Sequence, residues 1–463
     1  MSINQKDFRG ARIKGNTFNS AIPLMRFATL FCLLFLFSVS LFAQPKDNSP
    51  YSRFGLGEPI NHSLSSAGFG GLSAAYIDPL HVNFLNPASL GNLVATTFEV
   101  GMYAERSILK VDDQEAKTWT GNLSHVSLAF PMRNPLSDLL AKKKRKFFWG
   151  MNIGLIPNTS VGYDIQTESI LTEGDTTRNS FQGTGGTNRL VWGNGVRYKD
   201  FSFGLNISYM FGQLETLREV RFDNRVAAYN NSFQDDISVR GVQFTFGATY
   251  QMRLDKEVLN DGSIRSKKSI IFGLYANPAS NFSTESTELR IASNLILPGG
   301  DIVDTLLNNT GVERDGKLPS EITLGVTYQV ANKLRVGAEY QYSAWSNYEN
   351  EAREEELYNS NRFAFGAEYS PNSTSYNNYF QRIRYRAGFY YREDPRLEDF
   401  TQYALTVGLG LPVVLPRQKT SFVNLAVEWG RYDTSGAIDE NFVKMSLGFT
   451  LNDSGWFYKR KFR

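Results

Sequence analysis

Phe201-Ser202-Phe203-Gly204-Leu205-Asn206-Ile207-Ser208-Tyr209-Met210-Phe211-Gly212 is the stretch that decides the fold. Its odd positions are all Phe, Leu, Ile or Tyr, and its even positions are Ser, Gly, Asn and one Met. Successive side chains of a strand point to opposite faces, so this is a strand with one greasy face and one face of small residues. The same pattern recurs in Val242, Phe244, Phe246, Ala248, Tyr250, Met252, and in Ile322, Leu324, Val326, Tyr328, Val330. After Ala331-Asn332-Lys333 it resumes as Leu334, Val336, Ala338, Tyr340, Tyr342, which reads as a hairpin. Leu405 to Leu411, Val423 to Trp429 and Val443 to Leu451 continue it, and roughly fourteen candidate strands lie between Val94 and Leu451.

A soluble β-sandwich also alternates, with shorter strands and a polar outer face. The choice between the two is made by the start of the chain. Phe27 to Phe42 is a Phe- and Leu-rich run preceded by Arg26 and followed by Ala43 and Gln44, the order of a secretory signal peptide. Residues 1–43 are therefore expected to be removed, and Met25-Arg26 makes a conventional start, so Met25 is an alternative initiator. An exported sheet that faces hydrocarbon must pair every backbone group, which requires a closed antiparallel barrel with an even number of strands. The expected fold is an all-β transmembrane barrel over residues 94–451 in the outer membrane of a Gram-negative cell, with outer-membrane lipids around it and a basic tail at 452–463.

Composition closes other routes. The one cysteine, Cys32, lies in the leader, so the mature chain offers no disulfide, thiolate metal site or thiol nucleophile. Removing residues 1–43 subtracts five basic and one acidic residue, leaving 49−5=44 against 46−1=45, so a basic nucleic-acid surface is not supported. The three histidines, His62, His81 and His125, show no metal-ligand spacing, and no cofactor is expected. His125 shares a predicted inward face with Ser127, but no Gly-x-Ser-x-Gly turn is present, and an enzyme is not expected.

Residues 44–93 do not alternate. They run through Ser65-Ser66-Ala67-Gly68-Phe69-Gly70-Gly71, Ala74-Ala75 and Asn86-Pro87-Ala88, small residues that permit close backbone packing. This segment is expected to be a hatch inside the barrel. On the strand Ile383 to Tyr391, alternation turns Arg382, Arg384, Arg386 and Arg392 inward, while Glu339 and Glu368 take the same face of neighbouring strands. A charged ladder bracing the wall or anchoring the hatch is expected. Tyr103, Trp149, Tyr198, Trp345 and Trp429 are expected in interfacial girdles. Short turns are expected at Lys199-Asp200 and Ala331 to Lys333, and a long external loop between Asn277 and Glu321, its apolar patch Leu295-Ile296-Leu297 a docking candidate. Lys142 to Lys146 and Glu349 to Glu356 read as solvated charged loops.

These residues resemble the FadL-like family of outer-membrane transporters for long-chain fatty acids and hydrocarbons. The resemblance rests on the Gly-rich stretch leading to Asn86-Pro87-Ala88, and on Leu318-Pro319-Ser320-Glu321, Trp345-Ser346, Arg384 to Gly388 with Pro395, and Leu405 to Leu411 in order. It implies a fourteen-stranded barrel plugged by a hatch, taking up a hydrophobic small molecule that leaves sideways through the wall. Ser89 departs from the family, and the tail Trp456-Phe457-Tyr458-Lys459-Arg460-Lys461 resembles that of Bacteroidota outer-membrane proteins. There this barrel type also serves as a scaffold that binds machinery proteins of secretion or assembly complexes.

Overall fold

The computed structural model describes residues 50–59, 64–111, 114–132, 146–170, 176–222, 228–255, 257–258, 264–293, 302–415, 419–434 and 439–455. The leader, the patch Leu295-Ile296-Leu297, His62, Lys142 to Arg145 and Trp456 onward lie outside the described residues. The wall has 14 antiparallel strands. They are β1 (Thr96–Val111), β2 (Gln114–Pro131), β3 (Phe147–Ile170), β4 (Thr176–Tyr198), β5 (Phe201–Phe222) and β6 (Asn230–Arg253). β7 is Lys268–Asn277 continued by Ser280–Ser293, with Pro278 at the break; β8 is Ile302–Leu318 continued by Glu321–Val330, with Pro319 at its break. β9 (Leu334–Ser343), β10 (Ser360–Tyr369), β11 (Arg384–Glu393), β12 (Thr401–Leu415), β13 (Lys419–Asp433) and β14 (Asp439–Asp453) complete it. β1 pairs with β14 from Thr96 opposite Asp453 to Lys110 opposite Asp439, which closes the sheet.

The alternation sorts the side chains as hydrocarbon demands. Phe201, Phe203, Tyr209 and Phe211 on β5, Val242, Phe244 and Phe246 on β6, and Leu405 and Val407 on β12 are exposed on the outside. The partners between them, Ser202, Asn206, Ser208, Thr245 and Thr406, are buried in the lumen. On β5 the apolar row ends at Phe211, a stretch of about the 9–11 residues that a tilted strand needs to cross a bilayer.

The strands are far from equal. β3 to β6 have 24, 23, 22 and 24 residues, whereas β9, β10 and β11 have 10 each. At about 3.3 Å per residue the long strands reach roughly 80 Å, well beyond any bilayer. Their excess rises from the end of the barrel opposite Thr96 and Asp453, where the outward row turns polar with Gln213 and Glu215 on β5 and Asp164, Gln166 and Glu168 on β3. The expected loop between Asn277 and Glu321 is mostly this raised wall: Ser280 to Ser293 pairs with both β6 and β8. Its polar, Ser- and Thr-rich alternation lacks the greasy row by which the lipid-crossing strands were recognised.

Two of the five girdle aromatics are corrected as well. Trp149, Tyr198 and Trp429 are exposed on the outside. Trp345 instead packs in the lumen beside Tyr348. Tyr103 turns inward under the Lys444 ammonium, because it falls on the lumenal row of β1 with Glu99 and Glu105.

Candidate functional site

Residues 64–93 lie inside the barrel, folded on themselves by two asparagines. Asn83 Nδ2 donates to the carbonyls of Ser73 (2.7 Å) and Tyr76 (3.2 Å), while its Oδ1 accepts from the N–H groups of Leu85 and Asn86. Asn86 caps the 3-10 turn Pro87–Asn92: its side chain accepts from Ala88 N at 3.1 Å and donates to Ala74 O at 2.6 Å. Pro87 follows at the first helical position, where a missing donor costs nothing. Gly70 and Gly71 take φ of 72° and 71°, left-handed values that turn the chain where a β-carbon would be strained.

The wall receives this backbone through its own glycines. Gly150, Gly195, Gly204 and Gly247 stand opposite one another on β3 to β6 and face Leu90, Pro87 and Asn86. Gly273 and Gly325, paired on β7 and β8, face Ala74. Gly366 and Gly388, paired on β10 and β11, face Phe69 and Gly70. Gly68 lies against Gly408 of β12, and the N–H of Gly70 donates to Thr406 Oγ1 at 3.0 Å. Gly68, Gly70, Asn86, Pro87 and Ala88 are thus all at the contact between hatch and wall.

Charges bind the two together. Glu339 on β9 accepts from the N–H groups of Ser73 (2.7 Å) and Ala74 (2.6 Å) and pairs with Arg362 at 3.2 Å. Arg362 also donates to the carbonyl of Gly70 at 2.7 Å. Asp78 of the hatch pairs with Arg384, with Arg335 at 3.6 Å and with His81 at 3.2 Å. Burial alone would raise the Asp78 carboxyl; the Arg384 guanidinium, His81 and Arg335 outweigh it and hold it well below the usual carboxylate range. Glu368 bridges Arg335 and Arg386, both at 2.7 Å. Arg386 donates to Asn424 Oδ1 at 2.9 Å, so the Asn424 amide turns its NH₂ to His81 Nε2 at 3.0 Å.

Arg382 does not join this ladder. It sits in the turn before β11, over the Tyr379 ring, and the strand begins only at Arg384, so Ile383 is buried rather than lipid-facing. Asp78, Arg335 and Arg362 are the ladder members that the sequence reading missed. Arg335 shares the alternation of Glu339, and Arg362 that of Glu368, so both were legible; Asp78 lies in non-periodic hatch sequence and carried no such signal. His125 lies between Phe84 (5.3 Å between rings) and Glu99 (3.7 Å), and the Ser127 hydroxyl makes no hydrogen bond with it.

The far mouth is also filled. Phe54 and Leu56 pack with Tyr348, Leu357 and Trp345. Tyr51 packs at a tilt against Phe400, 4.5 Å between ring centres, and Arg396, fixed by Asp394 at 2.6 and 2.8 Å, lies over the Phe400 ring. The acidic run at 349–356 is not a free loop: Glu355 accepts from Gly55 N and pairs with Arg353. Between hatch and wall a cavity of about 310 Å³ remains, with Arg189, Glu321, Arg392, Glu428, Lys444 and Glu105 on its surface. Among the described residues the wall is notched between β2 and β3. β2 and β3 pair only from Val126 opposite Leu155 to Pro131 opposite Gly150. Above that, residues Glu58–Pro59 of the hatch add a short strand to β3 at Ser160 and Thr159.

A closed fourteen-stranded wall with an outward apolar row and an N-terminal hatch defines a β-barrel of the transmembrane type. Solved structures share that fold. They include the Pseudomonas putida toluene transporter TodX (15% identity over 85% of this chain and 98% of that one, TM-score 0.52) and a Pseudomonas aeruginosa FadL homologue (12%, 88% and 99%, 0.51). The Ralstonia pickettii toluene transporter TbuX is a third (14%, 86% and 100%, 0.50). No curated protein sequence matches the chain. The profile of the BamG family matches residues 25–463, and the chain belongs to that family.

Proposed function

We propose that this barrel is a non-conducting scaffold of the outer membrane that holds partner proteins of a secretion or assembly complex. The observation that carries this reading is the charged lattice of Asp78, Arg335, Glu339, Arg362, Glu368, Arg384 and Arg386, which locks the hatch across the lumen. A hydrophobic solute moving through a barrel needs a dry, apolar path, and a largely apolar pocket is the ordinary form of a small-molecule site. Here Arg189, Glu321, Arg392 and Lys444 interrupt the apolar lining that Phe54, Leu56, Trp345 and Leu357 give the space beside the hatch. Seating of the hatch by Gly68, Gly70, Asn86, Pro87 and Ala88 is part of the proposal, as are export through residues 1–43 and a source among the Bacteroidota. The short turns at Lys199-Asp200 and Ala331 to Lys333 support placing the terminal end in the periplasm and the raised wall outside.

The second reading is uptake of a hydrophobic small molecule such as a fatty acid. It is favoured by the fold shared with the toluene transporters and by the notch between β2 and β3, into which Glu58–Pro59 pairs. Gentle purification from native membranes separates the two. Stoichiometric protein partners and no ion conductance in planar bilayers are expected for the scaffold. Co-purified lipid, together with poor growth of a deletion strain on long-chain lipids, would replace it with uptake.

A further inference from the structure

One margin of the raised wall, the outer side of β3, is a strand edge already used for strand addition. β3 pairs with β4 without interruption from Thr159 opposite Thr187 to Ile170 opposite Thr176. On its other edge, among the described residues, the only paired positions above Leu155 are Thr159 and Ser160, taken by Pro59 and Glu58. Just above them Ser52 Oγ bonds the N–H and C=O of Gly162. From Tyr163 to Ile170 no strand covers this edge among the described residues, and the facing half of β2, Gln114 to Ser124, pairs only with β1.

Natural sheets protect such edges with bulges, prolines, lysines or very short strands. Tyr163-Asp164-Ile165-Gln166-Thr167-Glu168-Ser169-Ile170 has no proline and no lysine, and its ladder with β4 carries no bulge. It is eight residues of β-compatible sequence, longer than the five or six of an average strand. Gln166 to Ile170 are exposed at every position, with Ile170 at 82%. Its inner face continues the apolar cluster of the mouth through Tyr163 and Ile165, whereas Asp164 and Glu168 face outward.

We infer that the edge of β3 from Tyr163 to Ile170 is a docking site for an extended segment of a partner protein on the outer side of the membrane. The segment adds antiparallel or parallel to β3 above the position where Glu58–Pro59 does so within the chain. Its chemistry follows from the two faces: apolar residues at alternate positions to extend the Tyr163 and Ile165 row, and Lys or Arg between them to meet Asp164 and to share Glu168 with Arg178, which pairs with it at 3.1 Å. Antiparallel pairing with a second copy is ruled out, because two barrels inserted the same way in one membrane bring their β3 strands together pointing in the same direction. This assignment rests on the scaffold reading and names the surface by which that scaffold holds a partner.

The test uses the full chain in its native outer membrane, with a photo-crosslinking amino acid at Asp164, Gln166 or Glu168, and at Glu215 or Gln234 as controls in the middle of the same raised wall. One adduct of a single mass is expected from the three edge positions and not from the controls. Its crosslinked residues in the partner should be spaced two apart. Thr167→Lys with Glu168→Lys, which puts charge on the inner face and reverses it on the outer, should cut the adduct at least tenfold while the barrel's heat-modifiable gel shift is unchanged. Equal adducts at the controls, an adduct that is a second copy of this chain, or an undiminished adduct in the double variant would overturn the inference. If partners co-purify but none crosslinks at this edge, the docking assignment falls and the scaffold stands; if no partner co-purifies, the scaffold itself falls.

Discussion

Gly68→Ala is the sharpest probe of how the hatch is held. A β-carbon on Gly68 would come 2.5 Å from Cα and 2.7 Å from N of Gly408, and 3.1 Å from the carbonyl carbon of Val407. Cβ atoms essentially never approach another heavy atom below 3.0 Å, so the hatch or β12 must retreat by at least 3.0−2.5=0.5 Å. All three atoms belong to the backbone of β12, which is paired on both sides and cannot rotate away as a side chain would. Overpacking of this kind costs about 1–3 kcal/mol. Against the equilibrium between seated and released hatch that is roughly a 5- to 150-fold shift, since each 1.4 kcal/mol is tenfold. Amide hydrogen exchange of residues 64–93 in the purified barrel reads that equilibrium directly. The expected result is faster exchange across the hatch by such a factor, with β4 to β6 unchanged. Gly121→Ala is the control, because its β-carbon would meet nothing nearer than 3.3 Å. Wild-type exchange in Gly68→Ala would refute the idea that close backbone contact seats the hatch.

Arg384→Ala should loosen the same element, because it takes from the buried Asp78 the guanidinium directly paired with it and leaves Arg335 at 3.6 Å. Breaking a buried pair costs about 3–5 kcal/mol, so greater permeability to detergents and small solutes is expected, and unchanged permeability would count against the anchor. The Asp78 carboxyl, held low in the folded chain, stabilises the seated hatch above its unfolded pKa of about 3.9 and loses that contribution as pH falls through the lower folded value. Hatch exchange corrected for intrinsic rates should therefore stay flat from pH 7 to about pH 4 and rise only in stronger acid. Asp78→Asn should remove that acid-side rise; a rise already near pH 6 would assign the switch to another group. On the outside, Leu324→Arg puts a charge in the lipid-facing row and should cost about 2–4 kcal/mol, read as lost heat-modifiability or a lowered urea midpoint in lipid vesicles. Glu215→Arg on the raised wall should have no such effect.

The sequence by itself determined the wall. A greasy residue at every second position, repeated over roughly fourteen segments behind a Phe- and Leu-rich N-terminal run, is compatible with few surroundings other than lipid on one side and an enclosed lumen on the other. The same alternation placed Glu339, Glu368, Arg384 and Arg386 inward, because strand direction is a local property of the backbone. What alternation could not reach was anything set by register. The pairing of Gly150 with Gly195, Gly204 and Gly247 arises only when four strands lie side by side, so the seat of the hatch was invisible as a site. The polar strands of the raised wall passed for a loop because water on both faces removes the greasy row. Asp78 found Arg384 and Arg335 across more than two hundred and fifty residues of chain. Contacts of that range depend on where the closed barrel brings its walls, and that is decided by tertiary structure alone.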